Sequence, residues 1–142
     1  MALGLPILLA ATPAKATASL TCNAADRNVS FDLLANMSSS DGGSIQLIGG
    51  TIRLKAVRGK FEATEFKIES AHIAGQWNFG KELRLGIASD EVRDISVYLA
   101  IIAELTKGGG DMDHYRGGYV LKVRGAKGET ELKGKIKGCD AG

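Results

Sequence analysis

The stretch from Tyr119 to Ile136, YVLKVRGAKGETELKGKI, contains the pattern that decides the fold. Tyr119, Leu121 and Val123 occupy every second position, which is the period of a β-strand with one buried face. Leu132, Gly134 and Ile136 repeat this period after an interval that includes Gly125-Ala126-Lys127-Gly128. Glycine-rich intervals of this kind form tight turns. The sequence therefore predicts a β-hairpin close to the C-terminus.

Similar alternation recurs through the chain from Val29 onward. It changes parity near Gly49-Gly50, and we predict a β-bulge there because one extra residue reverses the facing of later side chains. Polar or glycine-rich segments separate the runs, and we interpret Asn36–Gly43 and Thr106–Gly118 as loops. Runs about ten residues apart predict an all-β fold, a single-domain antiparallel β-sandwich or barrel of about eight strands.

One segment fits two structures. From Val92 to Leu105, the apolar residues Ile95, Val97 and Leu99 fit the period of a strand. A stripe that includes Tyr98 and Ile102 fits a short helix near 92–105. β-Branched and aromatic residues favour strands. We expect a strand and retain the helix as the alternative.

Length and charge limit the classes of function. The chain has 142 residues, which fit one domain, and 18 basic against 16 acidic residues give a formal net charge of +2. Proteins dedicated to nucleic acids usually carry a larger basic excess, because neutralising phosphates supplies much of their affinity. We therefore expect no nucleic-acid partner.

The N-terminus has the pattern of an export signal. Leu3–Ala11 is apolar, and small residues at Ala14, Ala16 and Ala18 form A-x-A cleavage sites. We predict a signal peptide over residues 1–18 and a folded domain over 19–142, although no basic residue precedes Leu3. The apolar run is too short to span a bilayer, so we expect no transmembrane segment.

Cys22 and Cys139 are the two cysteines of the chain, and we predict that they form a disulfide. The bond would close a loop of nearly the whole mature chain, which the loop-entropy model rewards by about 4–5 kcal/mol at most. Disulfides persist in oxidising compartments, so we expect a periplasmic or secreted protein. Acylation of Cys22 as a lipoprotein N-terminus is the alternative.

Few residues suggest chemistry. Asp111, Asp113 and His114 are candidate metal ligands in a glycine-rich segment, but they do not match the EF-hand loop, and we interpret the segment as a solvated loop. His72 lies in an apolar setting without a recognisable nucleophile nearby in sequence. We expect no enzyme, no metal and no cofactor.

The predicted hairpin places five cations on one side: Lys122, Arg124, Lys133, Lys135 and Lys137. Such a surface suits an anionic partner, either an acidic envelope protein or a lipid head group. The alternative explanation involves no binding partner: lysines on an edge hairpin prevent the strands of different molecules from pairing and aggregating.

Three functions remain at this point. The first is a non-catalytic binding or interaction module of the cell envelope. The second is a lipocalin-like carrier of an apolar molecule, which predicts a cavity lined by Phe66, Trp77, Leu85 and Leu99. The third is a hydrolase with clustered carboxylates in a cleft.

Overall fold

The computed structural model describes residues 17–38, 44–55, 61, 63–79, 81–107 and 113–142. These residues form ten strands and one short 3₁₀ helix, Ser70–His72. The strands are β1 (Thr17–Ala25), β2 (Val29–Ser38), β3 (Ile45–Leu54), β4 (Glu65–Ile68), β5 (Ile73–Phe79), β6 (Glu82–Ser89), β7 (Ser96–Lys107), β8 (Asp113–Gly125), β9 (Gly128–Lys135) and β10 (Gly138–Ala141). The predicted all-β class is confirmed.

All strands belong to one antiparallel sheet in the order β4-β3-β2-β1-β10-β8-β7-β6-β5, with β9 pairing to β8 beside β10. The N-terminal half of β8 pairs with β10 and its C-terminal half pairs with β9. β9 and β10 are consecutive along the chain, so together they follow one edge of β8 with a bend between them.

The sheet curls until its two ends meet through side chains. The Gln76 side chain in β5 accepts a hydrogen bond from the backbone N–H of Ile45 and donates one of 3.2 Å to its carbonyl. Ser70 makes the same pair of contacts with Ile48. These two side chains provide hydrogen-bond partners for backbone N–H and C=O groups at the edge of β3, in the part of the strand that does not pair with β4. The result is a partly closed barrel.

The core fills the inner face of this curled sheet. In β2 every second residue is buried, from Val29 and Phe31 to Met37, and β6 and β8 follow the same rule. Buried side chains from all parts of the sheet form one contiguous hydrophobic cluster. Alternation in the sequence therefore corresponds to a single inward face.

The ambiguous segment is a strand. β7 pairs with β6 on one side and with β8 on the other over most of its length. Ile101 is 1% exposed, whereas its neighbour Ile102 is 48% exposed. The expectation of a strand is confirmed and the alternative helix near 92–105 is wrong. Strands on both sides supply backbone hydrogen bonds to β7, and every second side chain of β7 is buried in the core.

The predicted bulge in β3 is displaced. Asn36 pairs with Leu47 and Met37 pairs with Ile45, so the extra residue is Gln46 rather than one of the two glycines. Leu47 consequently faces outward. Gly50 has another role, because a Cβ there would overlap the backbone oxygen of Asp32. The glycine permits close approach of β2 and β3.

The C-terminal hairpin is present as predicted, with Leu121 opposite Leu132 and Gly125 opposite Gly128 across a two-residue turn. The predicted loop Asn36–Gly43 is wrong at its start, because β2 runs to Ser38. The predicted loop Thr106–Gly118 is wrong at both ends, because β7 runs to Lys107 and β8 already begins at Asp113. Long-range pairing with β7 and β10 overrides the local glycine content there.

The predicted signal peptide falls mostly outside the described residues. β1 begins at Thr17, two residues before the predicted start of the domain, and it pairs with β2 along its whole length. The sulfur of Cys22 is bonded to that of Cys139. A sulfur in a disulfide carries no thioether-linked lipid, so the alternative of an acylated Cys22 is wrong in this structure.

The disulfide joins β1 to β10. Cys22 and Cys139 lie directly opposite each other with Cα atoms 4.1 Å apart, although 117 positions separate them in sequence. Neighbouring positions Ser19 and Gly142 exchange both backbone hydrogen bonds. Opposite pairs in an antiparallel ladder alternate between hydrogen-bonded and non-hydrogen-bonded. Counting from Ser19 and Gly142, the two cysteines form a non-hydrogen-bonded pair, in which facing side chains are closest.

A partly buried polar contact ties β8 to the turn between β1 and β2. The Tyr119 hydroxyl donates a 2.5 Å hydrogen bond to Asp26 Oδ2, and the backbone N–H groups of Asn28 and Val29 donate to Asp26 Oδ1. The Tyr119 ring also meets Phe31 edge to face, with centroids 5.4 Å apart. A Cβ on Gly134 would lie 2.7 Å from the hydroxyl, so glycine leaves the room that this contact needs.

Both groups have shifted pKa values. Burial alone would raise the pKa of Asp26, but hydrogen bonds from Tyr119, Val29 and Asn28, with the charge of Lys55, hold it below its usual value. Burial raises the pKa of Tyr119, and the adjacent carboxylate raises it further. The pair is therefore a charged acceptor and a neutral donor at neutral pH.

We expect removal of the disulfide to destabilise the fold strongly. Cys22→Ala with Cys139→Ala should lower the free energy of unfolding by roughly 2–5 kcal/mol, mainly because the unfolded chain is no longer cross-linked. Urea unfolding followed by circular dichroism measures this change. A reductant should lower the stability of the unsubstituted protein and leave the double variant unaffected; an unchanged urea midpoint in reductant would contradict the prediction.

The Asp26–Tyr119 contact predicts a pH dependence. Because the folded pKa of Asp26 lies below the usual 3.8, its contribution to stability is present above that pH and is lost as pH falls through the folded pKa. Tyr119→Phe should cost about 1.5–3 kcal/mol at neutral pH, as for other hydrogen bonds to charged groups. Urea unfolding should show this cost shrinking in acid.

The matched control is Tyr98→Phe, which removes a hydroxyl from an exposed tyrosine. We expect its stability to change by less than about 0.5 kcal/mol at either pH. An equal cost of Tyr119→Phe at neutral and acidic pH would show that Asp26 is not the group responsible.

Candidate binding surface

The predicted basic side chains lie on the outer face of the C-terminal hairpin. Lys122 and Arg124 alternate with buried residues of β8, and Lys133 and Lys135 take the equivalent positions on β9. Lys133 is opposite Val120 and Lys135 is opposite Gly118. Lys137 lies beyond the end of β9, in the bend before β10, where it is exposed.

Two carboxylates share this face. Glu131 lies opposite Lys122 and Glu129 lies opposite Arg124. Glu131 is 3.1 Å from Lys133 Nζ and 4.0 Å from Lys122 Nζ, while Glu129 is 2.9 Å from Arg124 Nη2. Glu129 and Glu131 alternate along β9 in step with Lys133 and Lys135, so all four side chains point to the same face. The positive charge of the hairpin is therefore partly neutralised by two carboxylates that the predicted surface did not include.

Arg116 extends the surface and was missed because its segment was interpreted as a loop. It shares the outward parity of Lys122 and Arg124 on β8, and it lies opposite Glu104 of β7. Within the described residues, no carboxylate oxygen lies within 4.0 Å of the charged nitrogens of Arg116 or Lys135. We call the outward side chains of Arg116, Lys122, Arg124, Lys133 and Lys135 the basic face.

An apolar strip runs beside the basic face on β7. It consists of Tyr98, Ala100 and Ile102, which share the outward face of that strand. Tyr98 is 42% exposed and Ile102 is 48% exposed. Gly86 and Gly118 lie beside the strip on the adjacent strands. Gly86 leaves room for the Tyr98 hydroxyl, which would lie 3.1 Å from a Cβ at that position, and Gly118 leaves one side of Ile102 uncovered.

A groove of about 490 Å³ connects the two features at one end of the sheet. Tyr98 and Ser96 line it from β7, while Lys122 and Arg124 line it from β8. Asp90 and Glu129 each contribute a carboxylate. The groove is thus of mixed polarity and combines an aromatic ring with two cations.

A second groove of about 600 Å³ lies on the outer face of β1, β2 and β3. Leu34 and Leu47 line it and are each 58% exposed. The other side chains along it are mainly uncharged, and Asp32 is the charged residue among them. This groove is apolar without neighbouring cations.

The interior gives little room at the positions proposed for a carrier. Phe66 and Leu85 are each 2% exposed and Leu99 is fully buried. A cavity large enough for a ligand would leave the side chains that line it accessible, and these three are in contact with other core residues instead. The side chain of Trp77 lies outside the part of the chain that the structure describes.

Both histidines are bound by neighbouring groups. His72 is buried in the 3₁₀ helix, where Nδ1 accepts the Glu69 N–H at 2.9 Å and Nε2 lies 2.8 Å from Glu91 Oε1. His114 Nδ1 lies 2.5 Å from Asp140 Oδ1 on an exposed part of the sheet. Asp111, the third of the candidate metal ligands, falls outside the described residues. Among the described ones, no three His, Cys, Asp or Glu side chains are grouped to hold a metal ion.

Across the residues described, no helix has the length and apolar character needed to cross a membrane. Comparison with known protein families, with curated proteins and with solved structures finds no match to this chain.

Proposed function

We propose that this protein is an exported, periplasmic or secreted binding module without catalytic chemistry, and that its basic face contacts an anionic partner. The observation that carries the proposal is the charge of that face. Its five cations lie beside three outward carboxylates, Glu104, Glu129 and Glu131, which leaves an excess of two positive charges on a rigid hairpin and its neighbour. Arg116 and Lys135 supply the part of this excess that is not in ion pairs with described residues.

The disulfide supports export. Bonds of this kind persist in oxidising compartments and are rare in a reducing cytosol. The Cys22–Cys139 bond is buried inside the sheet and joins strands from opposite ends of the chain. A fold that depends on such a bond suits a periplasmic or extracellular setting.

The state of the chemically active side chains supports binding over catalysis. Both cysteines are in the disulfide, so neither is a free nucleophile. His72 and His114 contact carboxylates, and among the described hydrogen bonds no serine, threonine or cysteine side chain is bonded to either imidazole ring. The buried positions of Phe66, Leu85 and Leu99 favour a filled core over a carrier cavity.

Binding to a soluble polyanion tests the proposal. The full chain should bind polyglutamate at low salt and be released as salt rises, because exposed charges are screened over about 8–10 Å at physiological ionic strength. Lys133→Gln with Lys135→Gln should weaken binding severalfold. Lys67→Gln with Lys81→Gln removes the same charge from exposed positions elsewhere and serves as the control. Equal losses in both double variants would show that net charge, and no particular face, is responsible.

Neutralising Glu131 should have the opposite effect. Glu131 contacts both Lys122 and Lys133, so Glu131→Gln leaves both lysines available for a partner. Exposed ion pairs contribute about 0–1 kcal/mol to stability, so the fold should tolerate the change. We expect tighter binding to polyglutamate in the same assay, and weaker binding would contradict the assignment of this face.

A further inference from the structure

We propose that the anionic partner is the surface of a phospholipid bilayer, with Tyr98 and Ile102 entering the lipid interface while Arg116, Lys133 and Lys135 contact the head-group phosphates. This inference rests on the proposed function and specifies its partner. It follows from the arrangement of the basic face and the apolar strip on one side of the sheet.

The strand register brings apolar and cationic side chains into the same rows. Ile102, Gly118 and Lys135 form one row across β7, β8 and β9, and Ala100, Val120 and Lys133 form the next. Neighbouring strands lie about 4.8 Å apart, so β7 and β9 are separated by about 10 Å. One contact area can therefore bury the apolar strip and reach anions with the lysines.

The shape of this surface suits a bilayer. The core occupies the inner side of the curled sheet, so the outer face, on which Tyr98 and Ile102 are partly exposed, is convex. Tyr98 combines an apolar ring with a hydroxyl, as side chains at a membrane interface commonly do. The lysines can lay their methylene stems over Val120 and Gly118 of β8, next to the apolar strip, while their ammonium groups reach phosphates.

Charge and apolar exposure together distinguish a lipid surface from a purely acidic partner. A soluble polyanion is bound by the cations alone and gains nothing from Ile102. A bilayer rewards both, because buried apolar area and attraction to anionic lipids add up in interfacial binding. The exposed Ile102 lies directly beside the basic face, with Gly118 between it and Lys135.

The outer face of β2 and β3 provides an internal comparison. Leu34 and Leu47 are more exposed than Tyr98 and Ile102, yet the groove beside them is lined by no cation among the described residues. If apolar exposure alone determined lipid binding, this second face would bind better. If cations are needed as well, it should contribute nothing.

Vesicle co-sedimentation of the full chain tests the inference, with phosphatidylcholine vesicles that contain or lack phosphatidylglycerol. We expect binding to the anionic vesicles and none to the neutral ones. Lys133→Gln with Lys135→Gln should weaken binding about fivefold for each charge removed. Ile102→Thr keeps β-branching and should weaken vesicle binding about tenfold through lost apolar burial, while leaving polyglutamate binding unchanged.

The matched control is Leu34→Thr with Leu47→Thr, which should bind vesicles like the unsubstituted protein. A comparable loss in this control would overturn the assignment of the face, as would an Ile102→Thr variant with unaltered vesicle binding. Absence of vesicle binding with retained polyglutamate binding would overturn this inference and leave the proposed function standing. Absence of both would overturn the two together.

Discussion

The fold depends on a short strand at the centre of the sheet. Among the described strands, β10 is the single link between β1 and β8, and its four residues pair at four positions with β1 and at three with β8. Most other neighbouring strands are joined by longer ladders, such as that between β7 and β8, although β3 and β4 also pair at only four positions. The Cys22–Cys139 bond lies in this short link. A covalent bond thus reinforces one side of a link that has few backbone pairs, and the Asp26–Tyr119 contact adds a second tie between the turn after β1 and β8.

The local sequence predicts this fold well where a strand buries one face, and poorly where pairing with a neighbouring strand decides the position of a bulge or of a strand end. Alternation identified the hairpin of β8 and β9 and favoured a strand for β7, because period-2 burial is a property of each strand by itself. The position of the bulge at Gln46 depends on how β3 matches β2, which no residue of β3 reveals alone. The N-terminal part of β8 was interpreted as a loop for the same reason, since its glycines are accommodated by pairing with distant strands.

The candidate surface was half visible in the sequence. Parity placed Lys122, Arg124, Lys133 and Lys135 together, and the same parity would have revealed Glu129 and Glu131 as their neighbours. The apolar strip was not visible, because its position beside the basic face depends on the pairing of β7 with β8. To predict a surface that spans several strands, one must know the order of the strands as well as which side chains of each strand point outward.

The narrow link at β10 also bears on how the chain behaves at high concentration. Separation of β10 from its neighbours would open two unprotected strand edges, on β1 and on the N-terminal part of β8. Both edges are able to pair with the sequence of β10, so β10 of a second molecule could take the vacant place in a domain swap. The buried disulfide, by fixing β10 to β1 of its own chain, thereby favours the monomeric arrangement over the exchanged one.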